Sequence, residues 1–215
     1  MLSIIAELYN PKQIDSQRRV DLIQILTLLT ILWLYSYIVV DRIAVLLGNR
    51  AHTDSFSDLS VIEIVSALLF APVIEEVVGR TCLSGKPSHA WGLPLMLLFC
   101  TITFKSLGVG FLLVSFMAIL VLSILMIRKR VLAFIFRIHY NKTFYFVSIV
   151  FAISHFFVID EGVNMYSKIV LVLVAYLPLS LIFGYIRVKY GLVYSIFAHM
   201  LNNVAVLSIN LILYS

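Results

Sequence analysis

The sequence predicts an all-α, polytopic transmembrane bundle of about seven membrane segments, and three observations carry that reading. Of 215 residues, 62% are hydrophobic and only 13% are charged, against about 45–50% and about 25% in a soluble domain. The mean hydropathy is +1.05. Apolar runs recur along the whole chain, several near the ~20 residues that a helix needs to cross a bilayer. Runs such as 107–127 and 169–186 are apolar all round, so they lack the polar face that a globular helix turns to water. The length suits one integral membrane domain, 1–215, and leaves no room for a sizeable soluble one.

The elements follow in order. Residues 1–19 read as a cytoplasmic or interfacial segment, with Leu2, Ile5 and Leu8 at helical spacing and Lys12, Arg18 and Arg19 behind them. The first long apolar run starts near Val20 and exceeds the 7–15 residues of a signal h-region, so no cleavable signal peptide is expected. Seven candidate spans are then expected at about Leu22–Leu47, Leu59–Val78, Ala90–Phe104, Leu107–Ile127, Thr143–Ile159, Ile169–Ile186 and Leu192–Leu213. The third is short and either spans or is re-entrant. Val131–Phe136, with basic flanks, reads as a short interfacial helix.

Basic and non-basic loops alternate. Arg128, Lys129, Arg130, Arg137 and Lys142 share one loop with no acid, whereas Asp160 and Glu161 follow the fifth run. Seven spans with a cytoplasmic N-terminus satisfy the positive-inside rule, with Lys105 the mild exception. The net charge of +5 is therefore assigned to membrane orientation, and no nucleic-acid partner is expected. Cys82 and Cys100 form no disulfide or zinc spacing and read as small buried apolar residues.

Against this apolar background the acidic pair Glu75-Glu76 stands out. A charge at membrane depth costs roughly 2.5–3.5 kcal/mol even on lenient insertion scales, so such residues are functional candidates. On a helix Glu76 and Arg80, four apart, share a face and can pair. Glu75 is rotated by roughly 100° and remains a free carboxylate. Phe151 and His155 are four apart in the fifth run, and His199 and Asn203 are four apart in the last. Taken singly, each has a packing or hydrogen-bonding reading. Taken together, a free glutamate, two histidines and an asparagine from three apolar segments point to one buried, water-accessible pocket. That chemistry suits metal-assisted hydrolysis, with imidazole and carboxylate ligands for zinc and a glutamate as general base. Neither Gly-x-Ser-x-Gly nor His-Glu-x-x-His occurs. Ser154 and His155 are neighbours and do not share a helix face, which argues against a serine–histidine dyad.

Glu75-Glu76-x-x-x-Arg80, Phe151-x-x-x-His155 and His199-x-x-x-Asn203, in this order, resemble the CPBP family. That family comprises type II CAAX prenyl endopeptidases together with bacteriocin-processing and abortive-infection membrane proteins. The resemblance covers a protease-like core of about 61–213. It implies an intramembrane metalloprotease in which Glu75 activates water. His155 and His199 would bind a divalent metal, with Glu75 as a further tentative ligand, or would stabilise the transition state. Asn203 would form the oxyanion site, Glu76 and Arg80 would brace the helix, and Phe151 would support the site. The implied setting is a bacterial cytoplasmic membrane, with membrane lipid and a peptide or protein substrate as partners. Two departures stand out. Gly79-Arg80-Thr81 replaces the usual Phe-Arg-Gly, so Gly79 is expected to loosen the helix where Glu75 must be held. About 75 residues separate Arg80 from His155, an excess the size of two extra spans. Two other functions fit the same fold class: a non-catalytic bacteriocin-immunity or scaffold protein, and a small proton-coupled transporter, which would show paired broken helices or pseudo-symmetric halves.

Overall fold

The computed structural model describes residues 21–47, 60–84, 91–103, 117–120, 123, 140–157, 159 and 163–214. All regular structure among them is helical. Helix α1 begins at Leu22–Tyr35, where Asp21 caps it by accepting from the Gln24 N–H at 3.0 Å, and continues through Ser36–Val40 and Asp41–Leu46. Helix α2 comprises Val61–Val65, Ser66–Phe70 and Ala71–Arg80, and tightens into a 3₁₀ turn at Thr81–Ser84. Glu63, an acid that the hydropathy pattern leaves unexplained, closes a capping box with Ser60. Helix α3 is Gly92–Thr103 and α4 is Tyr140–Ser154, followed by a 3₁₀ turn at His155–Phe157. Helix α5 runs through Met165–Leu171, Val172–Tyr176 and Leu177–Tyr190, and α6 is Leu192–Tyr214. Gly191, with φ +100°, makes the α5–α6 turn in a conformation that a side chain would strain.

Among the described residues three helices are long and apolar enough to cross a membrane: Leu22–Leu46, Met165–Tyr190 and Leu192–Ile209. Their outer faces stay apolar and uncovered, with Ile23 78% and Val193 74% exposed. Such a surface is stable only in lipid, and the chain is an integral membrane protein. The described part of the third expected segment is helical over Gly92–Thr103, about 18 Å at 1.5 Å per residue. Most of the fourth expected span, most of the basic loop after it and residues 1–19 fall outside the described residues; Lys142, expected in that loop, stands in the first turn of α4.

The α5 helix is the hub, packing against α4, α6 and α1, while α6 also packs on α1 and α2. Ile25, Leu28 and Leu29 of α1 meet Phe183 and Ile186 of α5 and Ala198 of α6 in the core. Gly184 admits Phe144: a Cβ there would lie 3.0 Å from the ring. Tyr140 donates to the Leu83 carbonyl at 2.7 Å and so ties the start of α4 to the end of α2.

The helices α1, α2 and α5 each widen into five residues of π-helix, at Ser36–Val40, Ser66–Phe70 and Val172–Tyr176. In α2 and α5 a proline explains the widening. Pro72 and Pro178 each stand two residues past the π segment and carry no N–H, and a proline ring clashes with the carbonyl four residues back. The π turns swing backbone carbonyls out of the ladder. Two of them find side-chain donors elsewhere: Tyr35 Oη donates to the Val174 carbonyl at 2.8 Å and Asn203 Nδ2 to the Ala67 carbonyl at 2.9 Å. π segments of this kind recur at functional sites, and all three here line one cavity.

Candidate active site

That cavity, about 460 Å³, collects Glu75 from α2, His155 from the turn after α4, Tyr176 from α5, and His199, Asn202 and Asn203 from α6. Its volume lies in the range of small-molecule and cofactor sites, about 300–1,000 Å³.

Glu75 and Glu76 diverge as the helix geometry requires. Glu76 is completely buried. Its Oε1 accepts from Arg80 Nη1 and, at 3.0 Å, from His199 Nδ1, while its Oε2 accepts from Ser195 Oγ at 2.5 Å. Arg80 is equally buried. Its Nη2 reaches Ser180 Oγ at 3.3 Å, and its guanidinium lies 3.7 Å above the Phe151 ring and 5.5 Å from that of Phe183. A buried charge pair needs such further bonds to offset its desolvation. Glu75 Oε2, by contrast, is buried with no hydrogen-bond partner. It lies 3.9 Å from His155 Nε2 and 3.7 Å from His199 Nε2.

The histidine tautomers follow from their neighbours. His155 Nδ1 lies 2.9 Å from the Phe151 carbonyl, which can only accept, so Nδ1 carries the proton. His199 Nδ1 donates to the Glu76 carboxylate by the same logic. In the neutral rings both Nε2 lone pairs are therefore left facing Glu75. Each ring is also clamped by stacking: His155 on Tyr176 with centroids 4.5 Å apart, and His199 on Phe183 at 4.6 Å. His155 reaches Glu75 because α4 ends at Ser154 and the 3₁₀ turn redirects the chain.

This donor set suits a borderline divalent ion in its chemistry. Two imidazoles present free Nε2 atoms, with Nδ1–H groups anchored on a carboxylate and a backbone carbonyl, the usual support of metal-bound histidine. Among the described residues, no three His, Cys, Asp or Glu side chains are gathered closely enough to enclose an ion.

Gly79 does not loosen the helix as expected. A Cβ there would lie 2.9 Å from Phe151 Cδ2 and 3.3 Å from Cε2. Its absence is what lets the Phe151 ring settle over Arg80. Gly79→Ala is therefore expected to overpack this contact at a cost of about 1–3 kcal/mol. Thermal unfolding in detergent checks this, and Phe151→Leu should recover part of the loss in the double variant. An unchanged melting temperature in Gly79→Ala would show the contact to be slack.

Several supporting residues lie outside the three motifs. Tyr176, Ser180, Phe183 and Arg187 form one stripe at spacings of four, three and four on α5. Arg187 Nε donates to the Arg80 carbonyl at 3.3 Å. Ser195 stands four residues before His199, on the face that already holds Asn203. Polar and aromatic groups at helical period were the signal.

Residues 136–205 match the family model described as type II CAAX prenyl endopeptidase Rce1-like. The match agrees with the family resemblance drawn from the motifs; it includes Phe151-x-x-x-His155 and His199-x-x-x-Asn203, while Glu75 to Arg80 lie before it. No curated protein and no solved structure gave a match.

Proposed function

We propose that this member of the CPBP family is an intramembrane endopeptidase that hydrolyses a peptide bond with a water activated by Glu75. The observation that carries the reading is the buried, unbonded Glu75 Oε2 facing two imidazole Nε2 atoms at 3.9 and 3.7 Å beside a cavity. A carboxylate with so few partners is costly at this depth unless a ligand or water completes it.

Glu75 takes a proton from water as the oxygen attacks the scissile carbonyl carbon. The carbonyl oxygen becomes an oxyanion, stabilised by the Asn203 N–H. The C–N bond then breaks, and the departing nitrogen takes the proton back from Glu75. General-base help of this kind contributes about 10²–10⁴-fold. Glu76, Arg80 and Ser195 hold His199 in the required tautomer. His155 and His199 would hold a divalent metal, zinc by donor chemistry, which when bound supplies a polarised water and a Lewis acid for the carbonyl.

The experiment uses protein in proteoliposomes and synthetic peptides ending in a C-a-a-X sequence, with and without an isoprenoid on the cysteine. In H₂¹⁸O the wild type is expected to release a fragment whose new carboxylate carries one ¹⁸O. If folded protein releases no fragment from either peptide, the reading fails and a non-catalytic immunity or scaffold role takes its place.

A further inference from the structure

The first helix lies outside the matched family region, yet it is wired into the site. Trp33 Nε1 on α1 donates to Asn202 Oδ1 at 3.3 Å, Asn202 Nδ2 donates to Asn203 Oδ1 at 3.5 Å, and Asn203 Nδ2 donates to the Ala67 carbonyl at 2.9 Å. Both ends of this chain have fixed polarity. An indole N–H can only donate, and a backbone carbonyl can only accept. The Asn202 oxygen must therefore face Trp33, its amide nitrogen must face Asn203, and the Asn203 nitrogen must point away from Asn202. A reversed amide at either position would set donor against donor or acceptor against acceptor.

The carbonyl end is built by the π turn. The Ala71 N–H, the ordinary α-helical partner of Ala67, bonds the Ser66 carbonyl instead, and Pro72 has no N–H to offer. Ala67 is left with an open carbonyl beside the cavity that both it and Asn203 line. One of the two Asn203 amide hydrogens goes to Ala67, and the second is free for the cavity.

We propose that Trp33 and Asn202 are positioning residues of the hydrolytic site, holding the Asn203 amide with its N–H toward the scissile carbonyl, and that the Pro72 π turn supplies the carbonyl on which this relay ends. The proposal rests on the hydrolase reading above and extends the working site to α1. Neither residue touches the reacting atoms; they act through Asn203.

Trp33→Phe and Asn202→Leu are assayed for peptide hydrolysis in proteoliposomes, singly and together, with Glu75→Gln alongside. Each single variant is expected to lower kcat roughly ten- to a hundredfold, the usual effect of losing an outer-shell partner, with KM little changed. The double variant should be no slower than the slower single one, because both break one chain. The hydrogen bond is read separately by ¹⁵N-tryptophan labelling in a Trp91→Phe background, where the remaining indole signal is Trp33. Asn202→Leu should move that N–H resonance upfield. Losses that multiply in the double variant, full activity in Trp33→Phe or an unmoved indole signal would each overturn the relay. If Glu75→Gln is inactive while Trp33→Phe is fully active, the relay fails and the hydrolase reading stands. If Glu75→Gln keeps full activity, the hydrolase reading itself has failed.

Discussion

Glu75→Gln is expected to abolish hydrolysis and leave the fold untouched. The substitution keeps the shape of the side chain and removes its charge and its basicity. Glu75 Oε2 makes no hydrogen bond that an amide would break, and neutralising a half-buried carboxylate at membrane depth removes a cost. Thermal stability should thus be unchanged or slightly higher. The kcat should fall about 10²–10⁴-fold, the range lost with a general base, with KM near the wild-type value because the cavity wall is preserved. This combination distinguishes catalysis from support: a bracing residue would lose stability and activity together. Glu76→Gln provides the contrast, since Glu76 bonds Arg80, Ser195 and His199 at once. Steady-state rates in proteoliposomes with parallel melting curves decide the matter. Equal hydrolysis by Glu75→Gln and wild type would remove Glu75 from the mechanism.

The different placement of the two glutamates was legible in the sequence because it depends only on helix geometry. A spacing of four binds Glu76 to Arg80, and a rotation of roughly 100° leaves Glu75 aside. The pairing of His199 with Asn203 on one face was legible for the same reason. Depth was harder to read. A periodic pattern assumes a regular rise, and the meeting of His155 with Glu75 depends on α4 ending at Ser154. Gly79 was misread because a helix propensity describes the chain alone, whereas its use here is the Phe151 ring from another helix. The π turns lay beyond local reading too. Pro72 and Pro178 mark where the ladder must break, but the break is stable where Asn203 and Tyr35 arrive from elsewhere to satisfy the freed carbonyls. The membrane class was evident from composition. The number of crossings was not, because an apolar run as short as Ala90–Phe104 fits either a span or a re-entrant segment.

Arg80→Leu is expected to cause the largest loss of stability of any single change at the site. Arg80 and Glu76 are both fully buried and paired, and Arg80 also bonds Ser180 and lies over the Phe151 ring. Removing one member of a buried pair strands the other charge and costs about 3–5 kcal/mol. Arg80→Lys should recover little, because an ammonium is a point charge that cannot reach Glu76 and Ser180 through a planar fork or stack flat on an aromatic ring. The informative variant is Glu76→Leu with Arg80→Leu. Replacing a whole buried pair by apolar groups is often neutral or stabilising by about 1–4 kcal/mol, so the double variant should regain much of the stability that Arg80→Leu loses. It should not regain hydrolysis. With Glu76 gone, the His199 Nδ1–H loses its acceptor, and the ring is free to turn its lone pair away from Glu75. Unfolding in detergent and peptide hydrolysis, measured on the same three variants, test this separation. Recovery of both properties would mean that the pair serves packing alone. Recovery of stability without activity would mean that two charges are kept in the membrane interior to set the tautomer of one histidine.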